Sequence, residues 1–488
     1  MSSKFSGSRA VVMGLGLNGG GIEAARYLAT HGAQVTVTDL RDEKVLRPSI
    51  EGLADLPIRF VLGKHEIDDF KSADVVVKNP AVRPDSPYLA VAKRIETDIS
   101  IFLQENPARL SAITGSKGKS STASALYWAL SSIRNRTTAQ GIPILPGKAY
   151  LGGNITLSPL TFLDQLHRDD DVVLELSSWQ LGDLRNRMVS LETQEDPAGT
   201  VRALLKPRLA ILTSILPDHL DRYGTMEAYV ADKTVLYQGQ DMQDATIVGS
   251  DKWGKIFAME SQGRCRIYQT WGADQAVSQQ NLDGWLEGPR GPGMARLPDG
   301  SIVEVVPDTP LVPGIHQKQN LLACALGLLD IGISPDVVRE ALARFPGIEH
   351  RLEFFFEHRG VRFYNDTAAT IPEAAAAAVQ AFDTAPILVT GGTDKNLDFS
   401  PLAAACKGAK QVILLAGTGT DKLLQLLKTA DIPYRGPYDN LDHAVLAALE
   451  SAKPGDPVVL SPGCTSFGMF LNEFDRGRQW KEAVQRLA

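Results

Sequence analysis

The stretch ITGSKGKSST (Ile113–Thr122) decides the expected fold of the middle of the chain. It lies between the apolar segment LSAIT, typical of a buried strand, and STASALYWALSSI, which has the pattern of a helix. A common phosphate-binding loop would have a glycine where Ile113 stands, so only Gly115, Gly118 and Lys119 of that pattern remain. The stretch is therefore predicted to be a short glycine loop between a strand and a helix.

This loop is suited to bind Mg²⁺-ATP. Backbone N–H groups of such a turn surround phosphate oxygens, Lys119 can reach the terminal phosphates, and Ser120 can ligate Mg²⁺. A plain glycine turn with an exposed lysine is the alternative, but Gly-Lys-Ser-Ser at a strand–helix junction favours the nucleotide. The predicted ATP-binding residues of the loop are Gly115, Ser116, Lys117, Gly118, Lys119, Ser120 and Ser121.

Another glycine-rich turn lies near the start of the chain. Gly14, Gly16 and Gly19 fit GxGxxG between a predicted strand and helix, and Asp39 ends the next strand. Glycines let a pyrophosphate approach the N-terminus of a helix, and the acid can hold a ribose hydroxyl. The pattern indicates a nucleotide without its identity, because NAD and a UDP-linked ligand fit equally well. Tight strand–helix packing without a ligand is a further alternative.

Alternation of strands and helices along the whole chain predicts an α/β protein of three domains. The predicted domains are 1–97, 98–347 and 348–488. The first and last are expected to be Rossmann-like, and the central one P-loop ATPase-like, with a mostly parallel sheet plus a small antiparallel sheet. The antiparallel strands are expected within Gly272–Gly300, and a hairpin turning at Arg359–Gly360 is expected to open the third domain. The polar, proline-containing segment Glu192–Pro207 predicts a surface loop.

Composition places the chain among soluble globular proteins. Its 488 residues are 44% hydrophobic and 22% charged, and the net charge of −7 argues against general binding to nucleic acid or anionic membranes. The four cysteines are far apart, which suggests neither a disulfide framework nor a zinc site. The start has no apolar signal region and no segment approaches the length of a membrane span, so we expect a cytoplasmic protein that inserts into no membrane. We also expect a monomer.

Polar residues follow two strands of the central domain. Glu175 ends the strand VVLEL, and Asp218 and His219 follow LAILTSI, so these residues should meet at the carboxyl edge of one sheet. Glu175 fits a Mg²⁺ ligand or a structural acid, and His219 fits a metal ligand or a residue at a helix start. Lys233 lies in a helix that begins near Thr225, and by itself it is interpreted as a solvated lysine.

Several segments in order resemble the Mur ligases of peptidoglycan synthesis, and the resemblance covers nearly the whole chain. These segments are TGSKGKSS, LELSSWQL, DHLDRYGTMEAYVADK, GIHQKQN, EHRLE, YNDTAAT, GGTDKNLDFSPL and SPGCTSFGMF. They are most similar to the members of the family that join glutamate to UDP-N-acetylmuramoyl-L-alanine. The resemblance implies an N-terminal domain for the UDP part, a central ATPase domain, and a C-terminal domain that brings the amino acid. ATP would phosphorylate the substrate carboxylate, and the amine of glutamate would attack the acyl phosphate.

The resemblance also implies roles for particular residues. The catalytic residues would be Lys119, His219 and Lys233. Two Mg²⁺ ions would be held by Ser120, Glu175, His219 and Lys233, with Lys233 carbamylated, which overturns its interpretation as solvated. Further ATP contacts would come from Asn320, Arg351 and Asp366. Substrate contacts would come from Leu17, Asn18, Asp39 and Arg41 at uridine and its phosphates, from Asn154, Ser177 and Gln180 at the muramoyl part, and from Lys395, Ser466 and Phe467 at glutamate.

Three positions depart from the pattern of these ligases. The segment around Ala368 lacks a usual lysine, Gly468 replaces a usual aspartate, and Asn79-Pro-Ala81 replaces Ser-Pro-Gly. These changes fall mostly around the amino-acid pocket, so L-glutamate is kept as an alternative substrate. D-glutamate is expected, because it is the substrate of the commoner members. Another Mur ligase or a folylpolyglutamate-type ligase is a further alternative. An NAD-dependent oxidoreductase would explain the first glycine loop but leave the second without a purpose.

Overall fold

The computed structural model describes residues 4–17, 19–134, 145–155, 157–191, 200–270 and 278–487. It confirms the predicted α/β class with mostly parallel sheets. The chain forms two compact units, Met1–Gly284 with Leu326–Ser334, and Trp285–Ala325 with Pro335–Ala488. Among the described residues, no helix is both long and apolar enough to cross a membrane.

The first unit opens with a parallel sheet of five strands in the order β3-β2-β1-β4-β5. The chain leaves β1 towards β2 on one side and returns to β4 on the other, so the carboxyl end of β1 is the switch point where such sheets bind ligands. The strands are β1 Arg9–Met13, β2 Gln34–Asp39, β3 Arg59–Leu62, β4 Val75–Lys78 and β5 Ile95–Glu96. The helices are α1 Gly20–Thr30, α2 Glu43–Glu51, α3 Ile67–Ser72 and α4 Asp98–Glu105.

A second parallel sheet of this unit has β6 between β11 and β8. Its central strands β6, β8, β11 and β12 are largely apolar and buried, as parallel strands covered by helices must be. The strands that follow in the chain are β6 Arg109–Thr114, β7 Ala149–Gly153, β8 Asp171–Glu175, β9 Met188–Leu191, β10 Thr200–Ala203, β11 Leu209–Leu212, β12 Ala245–Gly249 and β13 Arg264–Tyr268. The helices are α5 Lys119–Arg134, α6 Ser178–Leu184, α7 Leu220–Tyr223, α8 Met226–Lys233, α9 Val235–Gln238 and α10 Lys252–Glu260.

The segment predicted as a surface loop, Glu192–Pro207, is only partly a loop. Thr200–Ala203 forms β10, which pairs antiparallel with β9. The sequence did not reveal this strand, because its four residues are too few to show a clear alternation of polar and apolar side chains. Residues 192–199 lie outside the described residues.

One hydrophobic cluster runs through the first unit. It joins Val12 of the first sheet and Leu28 of α1 to Phe102 on α4 and to Leu174 and Leu212 of the second sheet. The parts of the chain predicted as the first and second domains therefore share a core over these residues.

The second unit contains a six-stranded sheet in the order β17-β18-β22-β19-β20-β21. The predicted hairpin is confirmed, because β17 and β18 pair antiparallel across Arg359–Gly360. Successive residues of the strand Ile387–Thr390 pack in different hydrophobic clusters. Leu388 packs in the cluster with Leu402, and Val389 packs in the cluster with Trp480. The strands are β14 Gly284–Leu286, which begins at the boundary, β15 Gly293–Arg296, β16 Ile302–Val306, β17 Glu353–His358, β18 Val361–Asn365, β19 Ile387–Thr390, β20 Gln411–Leu415, β21 Tyr434–Tyr438 and β22 Pro457–Leu460.

The remaining helices, in chain order, are α11 Ile315–Asp330, α12 Pro335–Ala343, α13 Pro372–Gln380, α14 Ser400–Cys406, α15 Thr418–Thr429, α16 Leu441–Ser451 and α17 Glu473–Gln485. The expected antiparallel pairing is present, but it extends beyond the predicted Gly272–Gly300, since β15 pairs antiparallel with β16 at Ile302–Val306. Residues 271–277 of that region lie outside the described residues.

Candidate functional site

A cavity of about 1120 Å³ in the first unit is lined by both glycine loops. Gly14 and Gly16 of the first loop line it at one part, and Lys119 and Lys233 at another. The volume exceeds the 300–1,000 Å³ or so of a pocket for a drug-sized ligand. The cavity therefore has room for a ligand that reaches from one loop to the other.

The loop between β6 and α5 needs glycine at its first position. Gly115 has φ +148°, and a Cβ there would lie 1.9 Å from Oγ1 of Thr213. Gly118 has φ +91°, in the region that favours glycine. The loop thus keeps its backbone against β11, as a turn that cradles phosphate requires.

Ser116 holds this loop to the segment that follows β11. Its Oγ donates to the carbonyl of Leu216 at 2.8 Å and accepts from the N–H of Leu216 at 2.9 Å. Lys119 folds back over the loop and donates to the carbonyl of Ser116 at 3.0 Å. Burial lowers the pKa of Lys119, and the charges of Glu175 and Asp218 oppose the shift. The lysine is therefore poised inside the loop rather than extended into solvent.

Lys233 is buried, with 1% of its surface exposed, so its interpretation as a solvated lysine is wrong. Its Nζ donates to the carbonyl of Gly115 at 2.7 Å and lies 4.6 Å from the centroid of the Tyr229 ring. Burial, with a further contribution from the charge of Lys119, lowers the pKa of Lys233 to about 7. An amine with such a pKa is partly neutral at physiological pH and can act as a nucleophile.

Glu175 has one carboxylate oxygen that is satisfied and one that is not. Asn154 donates to Oε1 at 2.9 Å, whereas Oε2 is buried without a hydrogen-bond partner among the described residues. The residue is 1% exposed at the end of β8. A buried carboxylate oxygen without a donor is costly unless a cation meets it. Glu175 therefore fits the predicted metal ligand better than a satisfied structural acid.

His219 lies at the start of the short helix α7 with φ +53°, a left-handed conformation. Its side chain makes no helix-capping hydrogen bond, and its ring lies 5.0 Å from the ring of Trp179. The side chain remains 45% exposed and lines the cavity together with Asp218. His219 thus stands at a helix start, as the alternative predicted, but its side chain does not cap the helix and is free to face the cavity.

Beside the first glycine loop, where uridine is predicted to bind, the carboxylate of Asp39 is paired with Arg41. Asp39 accepts from Nη2 of Arg41 at 2.8 Å, from Nε of Arg41 at 3.0 Å and from the N–H of Gly16 at 3.2 Å. Burial acts to raise the pKa of Asp39, but these hydrogen bonds together lower it. Leu17 is half exposed and lines the cavity, and Asn18 lies outside the described residues.

The predicted muramoyl contacts lie at the start of α6 and after β7. The hydroxyl of Ser177 caps α6, and Oε1 of Gln180 accepts from the backbone N–H and hydroxyl of Ser177, both at 3.0 Å. The Gln180 amide thus has its oxygen engaged. Asn154, Ser177 and Gln180 all line the cavity, so the first unit brings these three predicted residues together.

The remaining predicted residues belong to the second unit. Asp366 is buried, accepts from Oγ of Ser461 at 2.6 Å and from the N–H of Leu352 at 3.1 Å, and lies next to Arg351. Burial raises the pKa of Asp366 to about 7. Asn320, on α11, donates to Gln317 at 3.3 Å.

The two segments predicted to hold glutamate run side by side. Thr393 bridges Thr465 in antiparallel fashion, which places Lys395 near the segment that carries Ser466 and Phe467. Lys395 is exposed, Ser466 is 4% exposed and Phe467 is 62% exposed. The structure therefore brings an exposed ammonium and an exposed ring to the same edge of the six-stranded sheet.

Models of three known domains match the chain in this order: a Mur ligase MurD-like N-terminal domain (residues 8–101), a Mur ligase middle domain (113–327) and a Mur ligase glutamate ligase domain (350–464). The UDP-N-acetylmuramoylalanine–D-glutamate ligase of Treponema pallidum (strain Nichols) is 39% identical over 99% of this chain and 98% of its own. The enzyme of the same name from Roseiflexus sp. (strain RS-1) is 39% identical over 99% of each chain. The chain belongs to the Mur ligase family. It is an ATP-dependent, amide-forming ligase, as the sequence predicts.

Solved structures of Mur ligases share this fold. The UDP-N-acetylmuramate–alanine ligase MurC of Thermotoga maritima superposes with a TM-score of 0.53 at 18% identity, covering 99% of this chain and 100% of that one. MurF of Acinetobacter baumannii gives a TM-score of 0.53 at 14% identity, covering 98% and 93%. MurF of T. maritima, in complex with ADP, gives 0.50 at 16% identity, covering 100% and 97%.

Two aromatic residues of this Mur ligase were missed by the sequence interpretation. The hydroxyl of Tyr229 lies 3.0 Å from Oγ of Ser116, and its ring faces Lys233. Trp179 lies between the ring of His219 and the guanidinium of Arg222, whose carbon is 4.3 Å from the Trp179 centroid. The signal for Tyr229 was its place one helical turn before Lys233, because residues so spaced share a helix face. For Trp179 the sequence offered only its place beside Gln180.

Two of the three departures from the family pattern fit their local structure, whereas nothing in the structure explains the missing lysine near Ala368. Gly468 has φ +101°, a conformation in which an aspartate would be strained. Asn79 accepts from the N–H of Ala81 at 3.0 Å and packs against Gly14, so it shapes the wall of the first glycine loop.

Proposed function

We propose that this ligase joins D-glutamate to UDP-N-acetylmuramoyl-L-alanine with ATP, as a cytoplasmic monomer. The observation that carries the proposal is the single cavity lined by both glycine loops. A nucleotide-linked substrate at the first loop can extend its acyl end to a phosphate at the second. The names of the full-length relatives support the same two substrates.

The proposed division of labour follows the three predicted domains, 1–97, 98–347 and 348–488. The first would hold uridine and its phosphates through Leu17, Asn18, Asp39 and Arg41. The second would hold ATP and the muramoyl part. The third would bring glutamate through Lys395, Ser466 and Phe467, where an ammonium can pair with a side-chain carboxylate.

The reaction needs activation because a carboxylate is a poor acyl donor. The carboxylate oxygen of the alanyl end attacks the γ-phosphorus of ATP, and the bond to the β-phosphate oxygen breaks to release ADP. The neutral amine of glutamate then attacks the acyl carbon, and phosphate leaves as the amide forms with loss of a proton. Lys119 stabilises the transferred phosphate, and the loop positions it.

The donor set at the second loop fits Mg²⁺. The unpartnered Oε2 of Glu175 is a hard oxygen, and Ser120 lies in the first turn of α5, in the loop sequence that supplies a hydroxyl ligand. Glu175, His219 and Ser120 would hold the ions, with Asn154 orienting the carboxylate of Glu175. When bound, Mg²⁺ supplies neutralisation of the phosphate charges.

Lys233 is proposed to carry a carbamate. The ammonium would first lose one proton. The neutral amine would then attack the carbon of CO₂, form an N–C bond and lose a second proton, so that the cationic side chain becomes an anion. The buried site against Gly115 and the pKa near 7 support this reaction, because the amine is partly unprotonated at neutral pH. The carbamate would supply an oxygen ligand beside the glycine loop, where the amine now contacts Gly115.

The test is a phosphate-release assay with purified protein, UDP-N-acetylmuramoyl-L-alanine, ATP, Mg²⁺ and each enantiomer of glutamate. We expect release with D-glutamate that depends on the UDP substrate. Release with L-glutamate alone would keep the ligase chemistry and change the enantiomer. Release with neither enantiomer, or release that does not require the UDP substrate, would overturn the proposal.

A further inference from the structure

A buried ion pair lies beside the cavity and has no part in the proposed chemistry. Nζ of Lys78 lies 2.6 Å from Oδ2 of Asp183, and the two side chains are only 5% and 8% exposed. Among the ion pairs of the described residues, only Arg134–Asp171 is buried as deeply on both sides. Asp171 begins β8, at the edge of the sheet opposite the cavity, whereas Lys78 ends β4 next to Gly14.

Such a pair is a poor device for stability. Removing two charges from water costs free energy that their attraction offsets only partly, and an apolar pair of the same volume often does as well. The three residues before Lys78 in β4 are valines, so an apolar residue would continue the strand. The position of the pair, rather than its strength, is therefore the feature to explain.

Lys78 connects two walls of the cavity. Its Nζ donates to the carbonyl of Val82 at 3.1 Å as well as to Asp183. Val82 belongs to the segment Asn79–Tyr88, here called the wall loop, whose residues line much of the cavity near the first glycine loop. Asp183 lies on α6, whose first turn presents Trp179 and Gln180 to the same cavity.

The ammonium also balances acids next to the predicted diphosphate position. Asp98, which lines the cavity near Gly20, has its pKa raised first by burial and in part by the charge of Asp183. Lys78 is the cation that pairs with Asp183, and the charge of Arg222 acts on the same carboxyl. Lys78 thus fixes the spacing of the walls and lowers the negative charge beside them.

We infer that Lys78 is a positioning residue for the nucleotide-sugar substrate, holding the wall loop against α6 through its bonds to Val82 and Asp183. The inference rests on the proposed function, because it takes that substrate to occupy this part of the cavity. Lys78 reaches neither the second glycine loop nor Lys233 in any described hydrogen bond, so ATP binding should not depend on it.

The test compares Lys78→Met with Asp183→Asn, which keeps an acceptor for the lysine, and with the double variant Lys78→Met/Asp183→Leu. Lys78→Met is expected to raise the KM for UDP-N-acetylmuramoyl-L-alanine about tenfold, since small misplacements of binding groups have large effects. The KM for ATP and kcat should stay within about twofold of the parent. Asp183→Asn should raise the KM for the UDP substrate less than Lys78→Met does.

The double variant separates positioning from stability. It leaves no unpaired buried charge, so its unfolding midpoint should exceed that of Lys78→Met, while its KM for the UDP substrate stays raised. If Lys78→Met does not fold, the KM of the double variant for the UDP substrate alone tests the positioning role. Lys71→Met, an exposed lysine of α3 that pairs with Asp68, is the control and should change no constant.

Two results would overturn the role of Lys78. One is an unchanged KM for the UDP substrate in the double variant; the other is a parallel loss for all three substrates. Calorimetric binding of UDP-N-acetylmuramoyl-L-alanine without ATP keeps this question apart from the proposed function. A parent protein that binds none of it refutes the proposed function, whereas equal binding by parent and Lys78→Met refutes only the positioning role.

Discussion

The two glycine loops of the first unit have the same position relative to their strands and helices, but their acidic residues differ in how fully they are hydrogen-bonded. Each follows the strand at the switch point of a parallel sheet and precedes a helix, and each has a glycine at positive φ, Gly14 at +92° and Gly115 at +148°. At the first loop the acid Asp39 has both oxygens bound by Arg41 and Gly16. At the second, Glu175 keeps a buried oxygen without a partner among the described residues.

The difference fits the proposed division of roles, in which the first loop binds the nucleotide-sugar substrate and the second carries the reaction. Polar groups that satisfy one another make a rigid surface ready for a ligand, whereas unmatched buried groups are retained where chemistry requires them. The amine of Lys233, with a pKa near 7, is hydrogen-bonded to a neutral carbonyl and forms no ion pair among the described residues, so its charge is unmatched in the same sense. Substitutions at the second loop should therefore affect catalysis, and those at the first should affect substrate binding.

The largest effect is expected from Lys233→Ala. It removes the buried amine and the proposed carbamate, so kcat should fall at least about 1,000-fold, as for loss of a central electrostatic group. Added short carboxylic acids should restore part of the activity by placing a carboxylate in the space left by the side chain. Steady-state phosphate release measures both effects, with Lys255→Ala, an exposed lysine of α10, as the control. Near-normal activity of the plain variant would remove Lys233 from the mechanism.

Glu175→Gln should come next. It keeps the shape and the acceptor for Asn154 but removes the charge, so the Mg²⁺ concentration for half-maximal rate should rise about 100-fold. A titration of rate against Mg²⁺ at saturating ATP measures this shift. Glu227→Gln, an exposed acid at the start of α8, should leave the titration unchanged. An unaltered Mg²⁺ requirement in Glu175→Gln would contradict the proposed ligand set.

A pair of glycine substitutions tests the two loops directly. A Cβ at Gly115 would lie 1.9 Å from Thr213, and one at Gly21 would lie 2.2 Å from the carbonyl of Leu15. Each alanine must therefore displace its own loop. We expect Gly115→Ala to raise the KM for ATP and Gly21→Ala the KM for the UDP substrate, each about tenfold.

The control for this pair is Gly63→Ala, at φ +75° with nothing within 4 Å of the added carbon. It should cost about 1–2 kcal/mol of unfolding free energy through backbone strain while changing neither KM. If both loop variants raise the same KM, the two loops do not serve separate substrates.

The smallest effect is expected from Asp39→Asn, which weakens the contact with Arg41. The folded-state pKa of Asp39 lies below its usual 3.8, so the stability it contributes is present above pH 3.8 and is lost as the pH falls through the lowered value. Because Arg41 is partly exposed, the loss of unfolding free energy near pH 7 should be at most about 1 kcal/mol. In urea unfolding, the difference in unfolding free energy between parent and variant should become smaller below about pH 4. A gap that widens on acidification would contradict the pairing.

The sequence was sufficient for the frame of both loops, because strands such as VVLEL and LAILTSI have unambiguous apolar patterns that end at polar residues. It was insufficient for Lys233, since nothing in the local pattern AYVADK distinguishes a solvated lysine from one buried by Gly115 and Tyr229, which come from distant and neighbouring parts of the chain. The Lys78–Asp183 pair was equally hidden, because tertiary packing joins residues that are far apart in sequence. The pairing of Asp39 with Arg41 is local, and its short spacing could have suggested it.

The shared cavity has a consequence for inhibition. Since Gly14 and Lys119 line one continuous space, a single molecule with a diphosphate at one end and a phosphonate at the other could fill both loops at once. Such a bisubstrate compound would gain from the linkage, because the second group binds at a high effective concentration once the first is seated. It would compete with both nucleotides simultaneously, so that a rise in the cellular level of either one alone could not fully relieve it.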